Sequence, residues 1–152
     1  MTDTRAEFAI GIDVGGTKIS GGIVDSTGRI LHKLKHKSLL QSAPLRVAEQ
    51  IEGLTNQLLK SQGLTERDII GVGIGTGGQI DYRTGHVIGA VNPTSPWVGV
   101  QLRDIVAERV NMPVIVDNDG NCAALGEMMF GAARDVRDFI CIVIGTGIGG
   151  AI

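Results

Sequence analysis

The 152-residue chain has the length of about one domain, and its 43% hydrophobic and 20% charged residues are typical of a globular protein. Its formal net charge of −2 gives no electrostatic support for a nucleic-acid or membrane-surface partner. The sequence has no run of 18 apolar residues and no signal-peptide core within its first seven residues, so we expect a cytoplasmic protein without a membrane span.

Three strands are predicted at the start of the chain, over 7–14, 18–25 and 30–37, as an antiparallel meander. The turn between the first two is the segment DVGGTK at 13–18, whose glycines lack a Cβ and therefore let backbone N–H groups approach a phosphate. A second hairpin turn is predicted at 25–28. His32 and His36 fall on one face of the third strand, which we interpret as a solvated face and not as a metal site.

A helix is predicted over 44–62, because apolar side chains recur there at helical spacing, namely Val47, Ile51, Leu54 and Leu58. We expect Ser42 to be its N-cap and Gly63 its C-cap.

Strands and helices alternate in the rest of the chain. We predict a strand at 69–75, a hairpin at 82–85, a helix at 98–110, a strand at 113–116, a helix at 122–130 and a strand at 138–144. A meander followed by βαβ units indicates an α/β protein with a mixed sheet and flanking helices. The one candidate domain boundary lies near residue 120.

The two cysteines, Cys122 and Cys141, are far apart and match no metal-ligand spacing. Both are set among apolar residues, so we expect buried free thiols.

Two carboxylates follow predicted strands. Asp13 could orient Mg²⁺ through water while its turn holds phosphate, or it could simply cap an ordinary hairpin. Asp119 could accept a proton from a sugar hydroxyl that attacks phosphorus, and it could also cap the next helix. The two roles of Asp119 are compatible, because a helix N-terminus favours an ionised carboxylate.

A second glycine-rich turn, GTGIGG at 145–150, superficially satisfies the G-x-G-x-x-G pattern. A dinucleotide fingerprint would open a helix about 30 residues before a second parallel strand, and this turn comes last, so we reject dinucleotide binding. The sequence contains no Walker-type P-loop either.

Four motifs occur in the order seen in ROK sugar kinases: DVGGTK at 13–18, GTGGQID at 75–81, VDNDGN at 116–121 and GTGIGG at 145–150. The resemblance covers nearly the whole chain. It implies the ribonuclease H-like fold of the actin-like ATPases, with two lobes and a cleft between them. Residues 1–120 would form the N-terminal lobe, and 121–152 would begin a truncated second lobe.

The resemblance implies the N-terminal part of an ATP-dependent kinase acting on the 6-hydroxyl of glucose, N-acetylmannosamine or N-acetylglucosamine. Asp119 would be the catalytic base, and Asp13 would hold Mg²⁺ through water. The implied sugar-binding residues are Gly77, Gly78, Asn92, Asn118 and Asp119. The implied ATP-phosphate-binding residues are Asp13, Gly15, Gly16, Thr17, Lys18, Gly145, Thr146, Gly147 and Gly149.

The chain departs from the family pattern at several positions. Most relatives have Pro-Gly where this chain has TGG at 76–78, and they usually carry Glu at 117 and Ala at 120. These differences resemble the N-acetylmannosamine kinase branch. The family's sugar-binding Asn before a Trp is matched by Asn92 or Thr94 before Trp97.

Other features would lie in a C-terminal part: a structural Zn²⁺ site, the adenine pocket and a homodimer interface. We therefore expect the fragment alone to have little kinase activity. We also expect it to self-associate through an unpaired apolar strand that includes Ile140, Ile142 and Ile144. The alternative is a sugar-sensing ROK regulator without its DNA-binding arm, although the intact phosphate turns argue against it. An actin-type ATPase switch ranks third, because the polar run at 117–119 points to a sugar site.

Overall fold

The structure is a computed structural model that describes residues 7–90, 95–144 and 148–152. Its strands are β1 (Phe8–Val14), β2 (Lys18–Asp25), β3 (Ile30–Lys37), β4 (Ile69–Thr76), β5 (Gln79–Asp81), β6 (His86–Gly89), β7 (Val114–Asn118), β8 (Cys141–Ile144) and β9 (Ile148–Ala151). Its α-helices are α1 (Pro44–Gln62), α2 (Leu102–Val110) and α3 (Asp119–Phe130), and a 3₁₀ turn spans Glu66–Asp68.

The main sheet has five strands in the order β3-β2-β1-β4-β7. Strands β1, β4 and β7 are parallel, and β2 runs antiparallel between β1 and β3. The predicted mixed sheet is therefore confirmed. Because β1, β4 and β7 run the same way, their C-terminal ends share one edge, where ligands bind in open α/β sheets.

The core lies between one face of this sheet and the helices α1 and α2. The predicted apolar face of α1 is buried there, against Ile10, Ile12, Ile19, Ile23, Val72 and Ile74. Gly21 permits the close approach of α1, because a Cβ at this position would lie 3.0 Å from Leu54 Cδ2 and 3.1 Å from Leu58 Cδ1. The opposite face of the sheet carries α3.

Several helix boundaries differ from the sequence predictions. Ser42 is not the N-cap of α1; that position is Ala43, which makes no side-chain cap, whereas Gly63 ends the helix in the predicted left-handed conformation. Helix α2 begins at Leu102 and not at 98, because Gly99 adopts a φ of +87° that interrupts helical geometry. Helix α3 begins three residues earlier than predicted.

The apolar strand near the C-terminus has a partner that the sequence analysis missed. β8 pairs antiparallel with β9, so the expectation of an unpaired strand over 138–144 is wrong for one of its edges. The outward side chains are nevertheless open, with Ile142 64% and Ile144 79% exposed. The predicted hairpin at 82–85 is confirmed, because it joins β5 to β6.

The expectation of two buried thiols is wrong. Cys122 is exposed and Cys141 is half-buried, although both are free. Cys122 lies on α3 beside an open cavity, and Cys141 belongs to a two-stranded ribbon, so neither side chain is enclosed on all sides. Among the described helices, none is long and apolar enough to cross a membrane.

Candidate functional site

Polar side chains meet where the parallel strands end. Asp13 on β1 is in register with Gly75 on β4, which is in turn in register with Asp117 on β7. Residues in register on neighbouring strands point to the same face, so both carboxylates lie on the α3 face with only a glycine between them. The three strand ends therefore assemble residues that are 42 to 104 positions apart along the chain.

Asp119 reaches this edge from the first turn of α3. Its Cα would lie 3.6 Å from a Cβ on Gly75, and its Oδ2 would lie 3.9 Å from a Cβ on Gly77. The two glycines thus let the start of α3 rest close to the end of β4. This packing places the side chain of Asp119 on the same side of the sheet as Asp13.

A cavity of about 660 Å³ opens between the sheet and α3. Asp13, Asp119, Lys33 and Cys122 line it together with a floor of small residues, namely Gly11, Ser20, Gly22, Gly73 and Gly75. A Cβ at Gly11 would meet no atom within 4 Å, so space stands open above the floor. Cavities of 300–1,000 Å³ are typical of small-molecule sites.

Asp13 has a raised pKa. Partial removal from water is the largest cause, and the neighbouring charge of Asp119 adds to it, while Lys33 and Lys35 oppose the rise. Although Cys122 as a whole residue is exposed, its sulfur lies against β4 and is partly removed from water, which raises the pKa of the thiol, and the nearby carboxylates add to the rise. A raised pKa disfavours the reactive thiolate form, so the carboxylates and not Cys122 are the candidate reacting groups of the cavity.

The raised pKa of Asp13 predicts that Asp13→Asn increases the stability of the folded chain by an amount that depends on pH. In the folded chain the protonated form is favoured, so its stabilising contribution is complete below the ordinary value of 3.8 and is lost as pH rises through the raised pKa. We expect the variant to be more stable than the parent chain near pH 7, by at most about 2–4 °C because water screens part of the effect, and equal to it near pH 3.

Asp25→Asn provides the opposite control for thermal unfolding across this pH range. The hydroxyl of Thr27, followed by backbone N–H groups, lowers the pKa of Asp25 to about 2. Its stabilising contribution is present above the ordinary value and is lost as pH falls through about 2, so this variant should be less stable than the parent chain near pH 7. Equal pH profiles for the two variants would contradict both assignments.

Asn118 holds the site together and is the actual N-cap of α3. Its Oδ1 accepts hydrogen bonds from the backbone N–H groups of Gly120 (2.9 Å) and Asn121 (3.3 Å). Its Nδ2 donates to the carbonyl of Gly78 at 2.9 Å. The interpretation of Asp119 as the cap is therefore wrong. Its Oδ1 shares the N–H of Gly120 with Asn118, at 3.0 Å, and its side chain lines the cavity.

We expect Asn118→Ala to destabilise the chain by about 2 kcal/mol, because it removes both the cap and the bond to Gly78. Asn118→Ser should recover about half of this loss, since a serine hydroxyl can cap the helix but is too short to reach Gly78. Urea unfolding of the three chains measures both values. Equal losses for Ala and Ser would show that the cap contributes nothing.

The remaining predicted residues fall in three groups. Gly15 and Gly16 form the β1–β2 turn with Thr17, closed by a bond from Gly15 N to Lys18 O at 3.0 Å. Gly149 lies in β9, paired with Val143. Asn92, Thr94, Gly145, Thr146 and Gly147 lie outside the described residues.

Lys33 is the cavity residue that sequence reasoning missed. Its signal was the alternation of lysines along β3, but only strand pairing shows which face of the sheet they share.

The edge of the sheet that carries Asp13 and Asp119 also suits a magnesium ion that is bound mainly through water and substrate phosphates. Within the part of the chain that the structure describes, no group of three or more His, Cys, Asp or Glu side chains could form a complete metal cage. Mg²⁺ commonly uses only one or two protein carboxylates, and Asp13 fits that use.

The chain is similar to known proteins along nearly its whole length. The model of the ROK family matches residues 9–152. A glucokinase of Streptomyces coelicolor is 38% identical over 147 residues, which are 95% of this chain and 43% of that protein. A xylose repressor of Bacillus spizizenii is 32% identical over 145 residues, which are 95% of this chain and 37% of the repressor.

A solved structure is similar in fold as well. The ROK family glucokinase from Streptomyces griseus, in complex with glucose and AMPPNP, has a TM-score of 0.82 and 38% identity, and the match covers 94% of this chain and 43% of that chain. This similarity confirms the predicted actin-like ATPase fold. The chain spans less than half the length of these relatives.

Proposed function

The chain belongs to the ROK family, and we propose that it is the N-terminal part of an ATP-dependent sugar kinase that phosphorylates the 6-hydroxyl of a hexose or N-acylhexosamine. The observation that carries the proposal is the pair Asp13 and Asp119, which line one cavity beside a glycine turn. Phosphoryl transfer depends on positioned phosphates and a base that orients the attacking hydroxyl, and this edge offers groups for both.

Asp119 is the proposed base. Its carboxylate accepts the proton of the sugar 6-hydroxyl as the oxygen forms its bond to the γ-phosphorus and the bond from that phosphorus to ADP breaks. Asp119 lies in the first turn of α3, which holds its carboxylate at the edge of the cavity. Asn118 keeps this turn in place through its three hydrogen bonds.

The phosphates belong at the glycine turn of 15–18, with Gly145, Thr146, Gly147 and Gly149 proposed as the second phosphate loop. Asp13 would hold Mg²⁺ through water, and the ion would neutralise charge on the phosphates. Gly77, Gly78, Asn118 and Asn92 remain proposed sugar contacts. Asn118 could contact the sugar only by sharing or releasing its present partners.

Glucose is the first candidate substrate, supported by the glucokinases among the relatives, with N-acetylmannosamine and N-acetylglucosamine as alternatives. We also propose that the protein is cytoplasmic, where ATP is available, and that the full-length parent protein is a homodimer. The structural Zn²⁺ site would belong to a C-terminal part. Residues 1–120 would form the first lobe, and residues 121–152 would begin the second lobe. The isolated chain is proposed to self-associate through the open apolar face of β8 and β9.

A coupled ADP-release assay tests the proposal, with Mg-ATP and each of the three sugars. The assay compares the chain alone with a chimera in which it replaces the matched segment of the Streptomyces coelicolor glucokinase. We expect little turnover from the chain alone and sugar-dependent turnover from the chimera. A chimera that folds and binds an ATP analogue but releases no ADP with any sugar would contradict the kinase.

A sugar-sensing regulator is the second candidate, supported by the similarity to a xylose repressor. It predicts that the same chimera binds sugar without ADP release. Thermal stabilisation by sugar in the absence of turnover would favour this candidate, whereas turnover would exclude it.

A further inference from the structure

Three strands of the main sheet end in the same row of residues. Val14 on β1 is in register with Thr76 on β4, and Thr76 is in register with Asn118 on β7. Each of the three is the last residue of its strand, and the chain continues from them into the glycine turn, residues 77–78 and α3. We call Val14, Thr76 and Asn118 the terminal row, and residues 77–78 the β4 loop.

The central member of the terminal row, Thr76, is fully buried. It continues the inward-facing positions of β4, where Val72 and Ile74 pack in the core. A valine would fill the same space without a polar atom, so core packing alone does not call for a hydroxyl group here. Burial of a hydroxyl costs free energy unless the group is hydrogen-bonded. The contribution of this hydroxyl therefore depends on its partner.

The partner of Thr76 belongs to the glycine turn. The hydroxyl donates a hydrogen bond to the carbonyl oxygen of Val14 at 3.3 Å, across 62 positions of the chain. That carbonyl shares one planar peptide unit with the N–H of Gly15, which donates to the carbonyl of Lys18 at 3.0 Å and closes the turn. The peptide unit is thus held at both ends, by β4 and by the turn itself. The orientation of the turn relative to β4 therefore depends on the hydroxyl of Thr76.

A second side-chain hydrogen bond continues the connection on the other side of Thr76. Asn118 Nδ2 donates to the carbonyl of Gly78 in the β4 loop at 2.9 Å, and its Oδ1 caps the helix that carries Asp119. The two bonds join the glycine turn to β4, and the β4 loop to the start of α3. The proposed phosphate, sugar and base positions are thereby connected through the side chains of Thr76 and Asn118.

We propose that Thr76 is a positioning residue that couples the glycine turn to the β4 loop, so that the nucleotide and the sugar bind cooperatively. The inference rests on the proposed function for the identity of the two ligands. Closure of the β4 loop on the sugar holds Thr76 in place and, through Val14, the peptide unit that closes the turn for the nucleotide. Because a coupling free energy belongs to both ligands, each should increase the affinity of the other by the same factor.

A purely structural role for Thr76 is the simpler explanation to be tested. In that case the volume of the side chain matters. Thr76→Val, which keeps the branched shape, should then behave like the parent, and Thr76→Ser, which removes a buried methyl group, should be worse by every measure. Coupling through the hydroxyl predicts the reverse order for ligand binding, because serine keeps the hydrogen-bond donor and valine does not.

Calorimetry of the glucokinase chimera tests the coupling. It measures the affinity for AMPPNP with and without saturating glucose, N-acetylmannosamine or N-acetylglucosamine, and the affinity for each sugar with and without AMPPNP. We expect a coupling factor of at least about fivefold with the preferred sugar, the lower end of the usual range. Thr76→Val should reduce this factor to below about twofold, since one net hydrogen bond corresponds to about a fivefold effect. Thr76→Ser should keep most of the parent factor even though its midpoint of thermal unfolding falls.

Thr55→Val is the matched control. Thr55 on α1 is as buried as Thr76, but its hydroxyl has no hydrogen-bond partner within the described residues. Its replacement should leave the coupling factor within about 1.5-fold of the parent value and should not lower the unfolding midpoint, because it removes an unpaired buried polar atom. Loss of coupling in both valine variants, a parent factor below about twofold, or a parent-like factor in Thr76→Val would each overturn the proposal.

Amide hydrogen exchange in the 152-residue chain tests the same link without a ligand. Thr76→Val should speed exchange at the N–H of Gly15 by about fivefold, because the carbonyl end of its peptide unit is released, while exchange at Gly63 stays unchanged. Parent-like exchange at Gly15 would contradict the positioning role, even in an active kinase. If the folded chimera bound neither a sugar nor AMPPNP, the proposed function and the cooperativity would both fail, and the exchange rate at Gly15 would still decide whether Thr76 holds the turn.

Discussion

Asp119→Asn is expected to lower the kcat of sugar phosphorylation by about 10²–10⁴-fold in the chimera, the range that loss of a general base usually produces. Asparagine keeps the size of the side chain, so α3 should still begin at this residue and the cavity should keep its shape. The KM for the sugar should change much less than kcat, because a group that acts on the proton in the transition state contributes little to ground-state binding. Steady-state kinetics with the preferred sugar and Mg-ATP provide both values.

Asp104→Asn is the matched control. Asp104 lies on α2, on the other side of the sheet from the cavity, where it forms an exposed ion pair with Arg103. Its loss should leave kcat within about twofold and stability within about 0.5 kcal/mol. If Asp119→Asn retained a tenth or more of the parent activity while remaining folded, Asp119 would not be the base.

Gly78→Ala is expected to destabilise the chain by at least about 2 kcal/mol, or roughly 4–8 °C in the midpoint of thermal unfolding. Gly78 has a φ of +114°, and a Cβ there would lie 2.5 Å from the carbonyl oxygen of Gly89. The atom that the Cβ would meet belongs to the backbone and not to the end of a flexible side chain, so the backbone itself must move. The carbonyl of Gly78 accepts the hydrogen bond from Asn118, and its displacement would therefore loosen the start of α3 as well.

The neighbouring substitution Gly77→Ala separates this conformational requirement from general sensitivity of the loop. A Cβ at Gly77 would meet only Asp119 Oδ2, at an ordinary 3.9 Å, and this glycine has no positive φ. Its effect on unfolding by urea should stay within about 0.5 kcal/mol. Similar losses at both positions would mean that the stated geometry of Gly78 is not what limits substitution.

Local patterns in the sequence predicted most of the elements. The alternation of apolar residues identified β1, β2 and β3, and helical spacing identified the buried face of α1, because both signals arise from which side of one element meets the core. Helix ends were predicted less well. Gly63 was recognised because a left-handed C-cap has a local preference, whereas Ser42 and Asp119 were wrongly assigned as caps. The position of the cap depends on where the backbone turns into the helix. Several neighbouring polar residues could serve as the cap, so the sequence alone does not identify which one does.

The short strands β5, β6 and β9 had only weak signals in the sequence. Each owes its strand conformation to its hairpin partner more than to its own residues. Cys122 was expected to be buried from its apolar neighbours in sequence, but on α3 those neighbours are themselves partly open, as for Leu125 and Met129.

By itself, the sequence determined the glycine turns, the order of the motifs, the class of fold and the two carboxylates worth testing, because these depend on residue type and on spacing along the chain. Only the tertiary structure decided that Asp13 and Asp119 share a cavity, that Asn118 joins α3 to the carbonyl of Gly78, and that the hydroxyl of Thr76 joins β4 to the end of β1. The reason is physical. Strand pairing sets the register, a shift of one residue would turn every side chain to the other face, and packing of α3 on Gly75 brings together groups that lie far apart along the chain.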